Sequence, residues 1–251
     1  MTDHILVERP ASHEGVLVIR FNRPEKKNAI TRAMYHRMID AIREADRDAS
    51  IRAIAFLGTE GCFSAGNDIA DFLSHAMDVG NEVPAPFAFL LALAGATKPV
   101  VSGVDGLAIG IGTTMHMHCD LTVASSRSLF RTPFVDLALV PEAGSSLIAP
   151  NVMGHQRAFA MLVAGEGFSA EQAREAGLIW KVTAPENVEA ETLALAASLA
   201  AKPPQALGIS RDLLRGDRKA LVARMHEELD LFLAQLASAE ARAAFEAFMR
   251  R

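Results

Sequence analysis

Two turns of small residues and one carboxylate are the parts of this sequence best suited to chemistry. The stretch GCFSAGND, Gly61 to Asp68, follows an apolar run and sets Ala65 and Gly66 before Asn67 and Asp68; GVDGLAIGIG, Gly103 to Gly112, has the same small-residue character. A turn of this kind ends a strand and opens a helix, whose first backbone N–H groups have no partner within the helix. Asp68 suits the new helix N-terminus, and glycine lets the backbone come close to a ligand. Further along, VPEAGSS sets Glu142 directly after Pro141. A carboxylate there is either a first-turn acid facing a helix dipole or a group that moves protons.

Other constellations carry less. Gly106, Gly110 and Gly112 suggest dinucleotide binding, but Met115 stands where a third glycine is required and no acidic residue ends a second strand downstream. His116, His118 and Cys119 are spaced around a helix rather than along one face, so core packing fits them better than a metal site, and none is expected. Ser145 and Ser146 lack the G-x-S-x-G elbow of a serine hydrolase. The loop of Arg23, Glu25, Lys26 and Lys27 is a solvated turn unless an anion sits beside it.

These residues must be held by a sizeable scaffold. The 251 residues fit one large domain, or a domain with a helical extension, and half of them are hydrophobic, which argues for a packed core over disorder. A net charge of −5 argues against non-specific nucleic-acid binding. Two cysteines, Cys62 and Cys119, are too few for a disulfide framework. With no uninterrupted apolar stretch of about 18 to 20 residues and no secretory or retention signal, a soluble cytoplasmic protein is expected.

The pattern predicts strands at Ile5–Arg9 and Val16–Phe21, then a helix capped by Thr31 and running to about Asp48, with Met34, Met38, Ile39 and Ile42 as its apolar stripe. A buried strand follows over Ile51–Leu57, a loop over Ser74–Pro86, a helix over Phe87–Leu93 and a strand over Lys98–Ser102. TTMHMHCD reads as a buried helix before strand Leu121–Ser125. The recurrence of strand, turn and helix predicts one layered α/β domain. Beyond Gly144, amphipathic helices are expected at about 154–164, 169–176, 186–201, 204–214 and 218–248, interrupted only by a strand at Ile179–Thr183.

Several motifs in order, NRPEKKNAI, CFSAGNDI, KPVVSGVDGLAIGIG, FRTPFVDLALVPEAGSS and an A-x-x-x-G-L-I-x-x-V pattern at Ala173–Val182, resemble the crotonase superfamily of acyl-CoA enzymes over nearly the whole chain. Within it the sequence is most similar to the Δ3,Δ2-enoyl-CoA isomerases. The resemblance implies an α/β crotonase spiral of ββα units over residues 1–195 and a helical region over 196–251 that covers the active site and joins a homotrimer or homohexamer. It implies an acyl-CoA thioester of fatty-acid metabolism as substrate, with coenzyme A entering as part of that substrate and no separate cofactor. It places an oxyanion hole at the N–H groups of Asn67 and Ile111, with Gly66 and Gly110 allowing the approach. Lys26, Lys27, Ala29, Ala65, Asp68 and Ile69 would line the coenzyme A region.

The family's hydratases hold a water between two glutamates. Their positions fall here on Thr114 and Phe134. The acid that remains is Glu142, where the related isomerases carry one, with Phe134 and Leu137 excluding water; Asp136 is its nearest rival. Three readings stay open: an isomerase with Glu142 as its single base, a hydratase-like or other crotonase-type reaction, and a non-catalytic acyl-CoA-binding protein.

Overall fold

The computed structural model describes residues 3–71 and 83–250. Its main sheet has the order β1-β2-β3-β5-β7-β10, formed by Ile5–Glu8, Val16–Phe21, Ala53–Leu57, Val100–Val104, Leu121–Ser125 and Lys181–Thr183. Only β1 runs antiparallel to its neighbour. A second sheet, β4-β6-β8-β9, is built from Cys62–Ser64, Leu107–Ile109, Leu129–Arg131 and Phe168–Ser169. Three times the chain leaves the main sheet and lays its next strand in the second: β3 to β4, β5 to β6, β7 to β8. This winding sets the ends of β4 and β6 side by side.

The alternation of side chains along the central strands explains the layering. Leu17, Ile19, Phe21, Ile54 and Phe56 belong to the large core, while Val16, Val18, Ala53, Ala55 and Leu57 form a smaller one with Leu193, Ala196 and Ala200. Helix α1, Arg32–Arg47, is capped by the Thr31 hydroxyl as expected, and it buries Tyr35 within its Met34, Met38, Ile39 and Ile42 stripe. Helix α2, Ala85–Gly95, packs on it through a Tyr35–Phe89 ring contact at 5.6 Å. Next along the chain are α3 (Ile111–Thr114), followed by a 3-10 turn over Met115–His118, then α4 (Ser145–Met153), α5 (His155–Leu162), α6 (Ala170–Glu175), α7 (Val188–Ala200), α8 (Pro204–Arg215), α9 (Arg218–Leu236) and α10 (Ala239–Met249). Arg211 on α8 fastens this region to the core through Asp120 and the Ala96 carbonyl.

Several expectations need correction. The two small-residue turns each contain a strand, β4 and β6, before the glycine that matters. The helix expected over TTMHMHCD is one α-helical turn that tightens into the 3-10 turn. The expected helix over 218–248 is two helices, because the Ser238 side chain accepts from the Ala241 N–H and starts α10. Strand β9 also interrupts the helical region, and the fourth strand of the main sheet, β5, lies at Val100–Val104 rather than Lys98–Ser102. Most of the loop expected at Ser74–Pro86 lies outside the described residues, and α2 already starts at Ala85. Residue 195 lies inside α7, which packs on the main sheet.

Candidate active site

The ends of β4 and β6 form one wall of a cleft. Parallel pairing sets Ser64 opposite Ala108, so the turns after them lie against each other. Gly66 has φ +88°, and a Cβ there would stand 2.8 Å from the Ile109 carbonyl oxygen; a Cβ on Gly112 would stand 3.0 Å from the Ser64 oxygen. Only glycine fits both the backbone angle and the space at position 66. The loop before α1 lies on the far side. The Ile30 N–H donates to the Gly66 oxygen and the Asp68 N–H to the Ile30 oxygen, a parallel bridge that turns the N–H of Asn67 away from Ile30. Ile111 is the first residue of α3, after Gly110 with φ +57°. Among the described residues neither the Asn67 nor the Ile111 N–H has a partner. Two backbone donors, 44 positions apart in the chain (111 − 67), are thus left free on adjoining turns.

Glu142 supplies the other wall. Its Oε1 accepts from the Thr114 hydroxyl at 2.8 Å. Burial pushes this carboxyl up to about 7; the Thr114 hydroxyl works against the rise and the charge of Glu228 adds to it. The dipole role considered for Glu142 does not apply, because α4 begins three residues later and its free N–H groups are taken by Glu228. Ala143 (φ +66°) and Gly144 (φ +68°) turn the backbone sharply after Glu142. A left-handed alanine is strained and persists where its surroundings hold it. His118, which burial lowers to about 4 and so keeps neutral, donates from Nε2 to the Ala143 oxygen at 2.7 Å.

Two cavities meet at this point. The first, of about 140 Å³, is lined by apolar residues of α2 and α9, including Phe87, Leu90, Met225 and Leu229, and by Tyr35. The second, of about 480 Å³, is lined by Ala65, Gly66, Ile69, Gly110, Ile111, Phe134 and Leu137, with Phe245 and Phe248 of α10 across from them. Asn67, Glu142 and Phe232 line both. Lys26, Lys27, Ala29 and Asp68 line neither. Lys26 and Lys27 are exposed on the loop whose Lys27 carbonyl accepts from the Ala65 N–H. Asp68 is engaged elsewhere, accepting from Arg23 at 2.7 Å and from the Asp71 N–H at 3.1 Å. Asp136 lines the second cavity but is half exposed and paired with Arg131 at 2.9 Å.

Four further residues shape the site. The Tyr35 hydroxyl donates to Asn67 Oδ1 at 2.6 Å, and burial, then the charges of Glu142 and Asp71, hold the phenol well above its usual range. Buried Asn28 ties the loop before α1 to the Cys62 and Phe63 carbonyls. Thr114 and Glu228 hold Glu142 and its loop. Tyr35 was open to detection as the only tyrosine of the chain, standing inside an apolar stripe.

Two sheets wound together by repeated strand pairs, with free N–H groups of two glycine turns opposite a half-buried carboxylate, define a crotonase-fold enzyme. A solved structure of OdaA from Pseudomonas aeruginosa superposes with a TM-score of 0.93 at 39% identity, covering all of both chains. The family model for Enoyl-CoA hydratase/isomerase matches residues 11–251, and the chain belongs to this family of enzymes acting on acyl-CoA thioesters. Enoyl-CoA delta isomerase 2 of Rattus norvegicus is 35% identical over 223 residues, which are 86% of this chain and 56% of that protein's length. The 1,2-epoxyphenylacetyl-CoA isomerase of Escherichia coli (strain K12) is 30% identical, over 95% of this chain and 93% of its own.

Proposed function

We propose that this enzyme moves the double bond of a 3-enoyl-CoA to the 2-trans position, with Glu142 as its single base. The observation that carries the reading is the place of Glu142, at the junction of two cavities beside Asn67, with a threonine and a phenylalanine where hydratases carry their glutamates. The thioester oxygen is held by the N–H groups of Asn67 and Ile111. Glu142 takes a proton from C2, the charge spreads into a dienolate whose oxygen those donors stabilise, and the same carboxyl returns the proton to C4. Losing one such donor typically costs about 3 kcal/mol of barrier. The acyl chain occupies the first cavity and the pantetheine arm the second, with Lys26 and Lys27 meeting coenzyme A phosphates outside it.

The base must be ionised, so kcat rises with pH through about 7, the carboxyl's shifted position. The test is an assay with 3-enoyl-CoA and 2-enoyl-CoA on the native enzyme and on Glu142→Gln. The substitution is expected to lower isomerisation about 1,000-fold, within the usual range for a general base. An unchanged rate overturns the assignment of Glu142. Hydration of 2-enoyl-CoA at comparable speed supports the hydratase-like reading instead, and tight coenzyme A binding with neither reaction supports a binding protein.

A further inference from the structure

On the buried face of α9 the three residues in register are Met225, Glu228 and Phe232. The outer two line the first cavity. The middle one is a carboxylate only 5% exposed, a position that is costly unless its oxygens are satisfied. They are: Oε2 accepts from the Gly144 N–H at 2.5 Å, and Oε1 from the Ser146 N–H at 3.0 Å and the Ser146 hydroxyl at 2.5 Å. Arg224, one turn earlier, also reaches the Ser146 hydroxyl, at 3.2 Å. Helix α4 has no side-chain cap of its own at Gly144, so Glu228 caps it from another helix. The fit is close, since a Cβ at Gly144 would overlap the Leu221 side chain and stand 3.2 Å from Met225. Glu142 lies two residues before Gly144.

We propose that Glu228 is a positioning residue for the base: from the helix that walls the acyl cavity it fixes the loop that carries Glu142, so that cavity wall and base keep one register. The inference rests on the reading of Glu142 as base. The groups facing Glu142 are Tyr35 from α1, Thr114 from α3, His118 behind Ala143, and Glu228 with Arg224 behind it. Of these, Glu228 brings a charge of the same sign, so its removal favours the ionised base at lower pH.

The test compares Glu228→Gln and Ser146→Ala with the native enzyme on 3-enoyl-CoA across pH 5 to 9. For Glu228→Gln a fall in kcat of about tenfold is expected from the misplaced base, with KM within about twofold and the rising limb of the profile at lower pH. In the ligand-free protein, hydrogen exchange at the Gly144 and Ser146 amides is expected to quicken about tenfold. Ser146→Ala, which removes one of the three bonds, shows a smaller fall in kcat and faster exchange, and it carries the test if Glu228→Gln does not fold. A folded variant whose kcat falls while limb and exchange stay native makes Glu228 merely structural and overturns the inference. Failure of the base reading shows separately, as a Glu142→Gln enzyme that keeps its rate; failure of this inference is a Glu142→Gln enzyme that loses its rate beside a Glu228→Gln enzyme that does not.

Discussion

The two walls of the cleft are built by opposite means. On the strand side the proposed working groups are backbone N–H donors at the ends of β4 and β6, fixed by sheet pairing and by the contact of Gly66 with Ile109. On the loop side the proposed working group is one side chain, that of Glu142, carried ahead of two left-handed residues and held by His118, Thr114 and Glu228. The strand side leaves the side chains of Asn67 and Ile111 open to change but admits no Cβ at Gly66. The loop side reverses this, because its carboxyl is specific and its support is distributed over three elements, the 3-10 turn, α3 and α9. Rigidity thus comes from hydrogen-bonded sheet on one wall and from side-chain clamps on the other.

Substitutions can break this contrast, beginning with the one of largest effect. Gly66→Ala puts a Cβ into both a glycine-only backbone angle and the Ile109 carbonyl, and is expected to cost about 3 kcal/mol of stability, near 6 °C in Tm for a chain of this length. Calorimetry checks it; a loss under 1 kcal/mol would mean that the turn relaxes easily. Next is the pH dependence of stability at the other wall. Because the folded carboxyl of Glu142 is raised from 4.5 to about 7, its stabilising protonation is complete below 4.5 and is lost as pH rises through 7. Glu142→Gln is therefore expected to be more stable than the native enzyme by roughly 3 kcal/mol at pH 8, with the gap closing towards pH 4.5. Denaturant titration at the two pH values reads this difference, and a gap independent of pH contradicts it.

Two smaller effects sharpen the comparison. Gly110 shares the positive φ of Gly66, but a Cβ there meets nothing within 4 Å and the residue lines the second cavity. Gly110→Ala is expected to cost about 1.5 kcal/mol in stability, half the effect at Gly66, while lowering kcat/KM more than its stability loss suggests, because the methyl group enters the substrate's space. Tyr35→Phe removes the bond to Asn67 Oδ1 alone and is expected to cost about 1 kcal/mol in kcat/KM, roughly fivefold, with the Glu142 pH profile little changed. Steady-state kinetics on both variants separates the two effects.

How much of this was legible in the sequence depended on the length of each signal. Runs such as Val16–Phe21 and Ala53–Leu57 are continuous, apolar and long enough to show as buried strands. The second sheet was hidden because its strands have three residues or fewer, too short for any periodicity to register. Gly66 and Gly110 were visible because glycine has few other reasons to stand there, and their pairing became visible only through the resemblance and the parallel register of β4 and β6. Glu142 stood out only through the resemblance, which puts the hydratase positions on Thr114 and Phe134 and an isomerase acid at 142. Glu228 did not, since a charged residue on a long helix reads as a solvated one; the clue was its three- and four-residue spacing from Met225 and Phe232. Ser238 is a missed cap of the ordinary kind, a serine followed by the helical run Ala239–Met249.

The Thr114 hydroxyl occupies one oxygen of Glu142, and among the described residues the other has no partner. If Glu142 is the base proposed above, a carboxyl tethered in this way offers its other oxygen to the substrate. Deuterium placed at C2 and recovered at C4 would then travel on that one oxygen, leaving from and returning to the same face of the acyl plane, and the product's stereochemistry would be written by a threonine that never touches it.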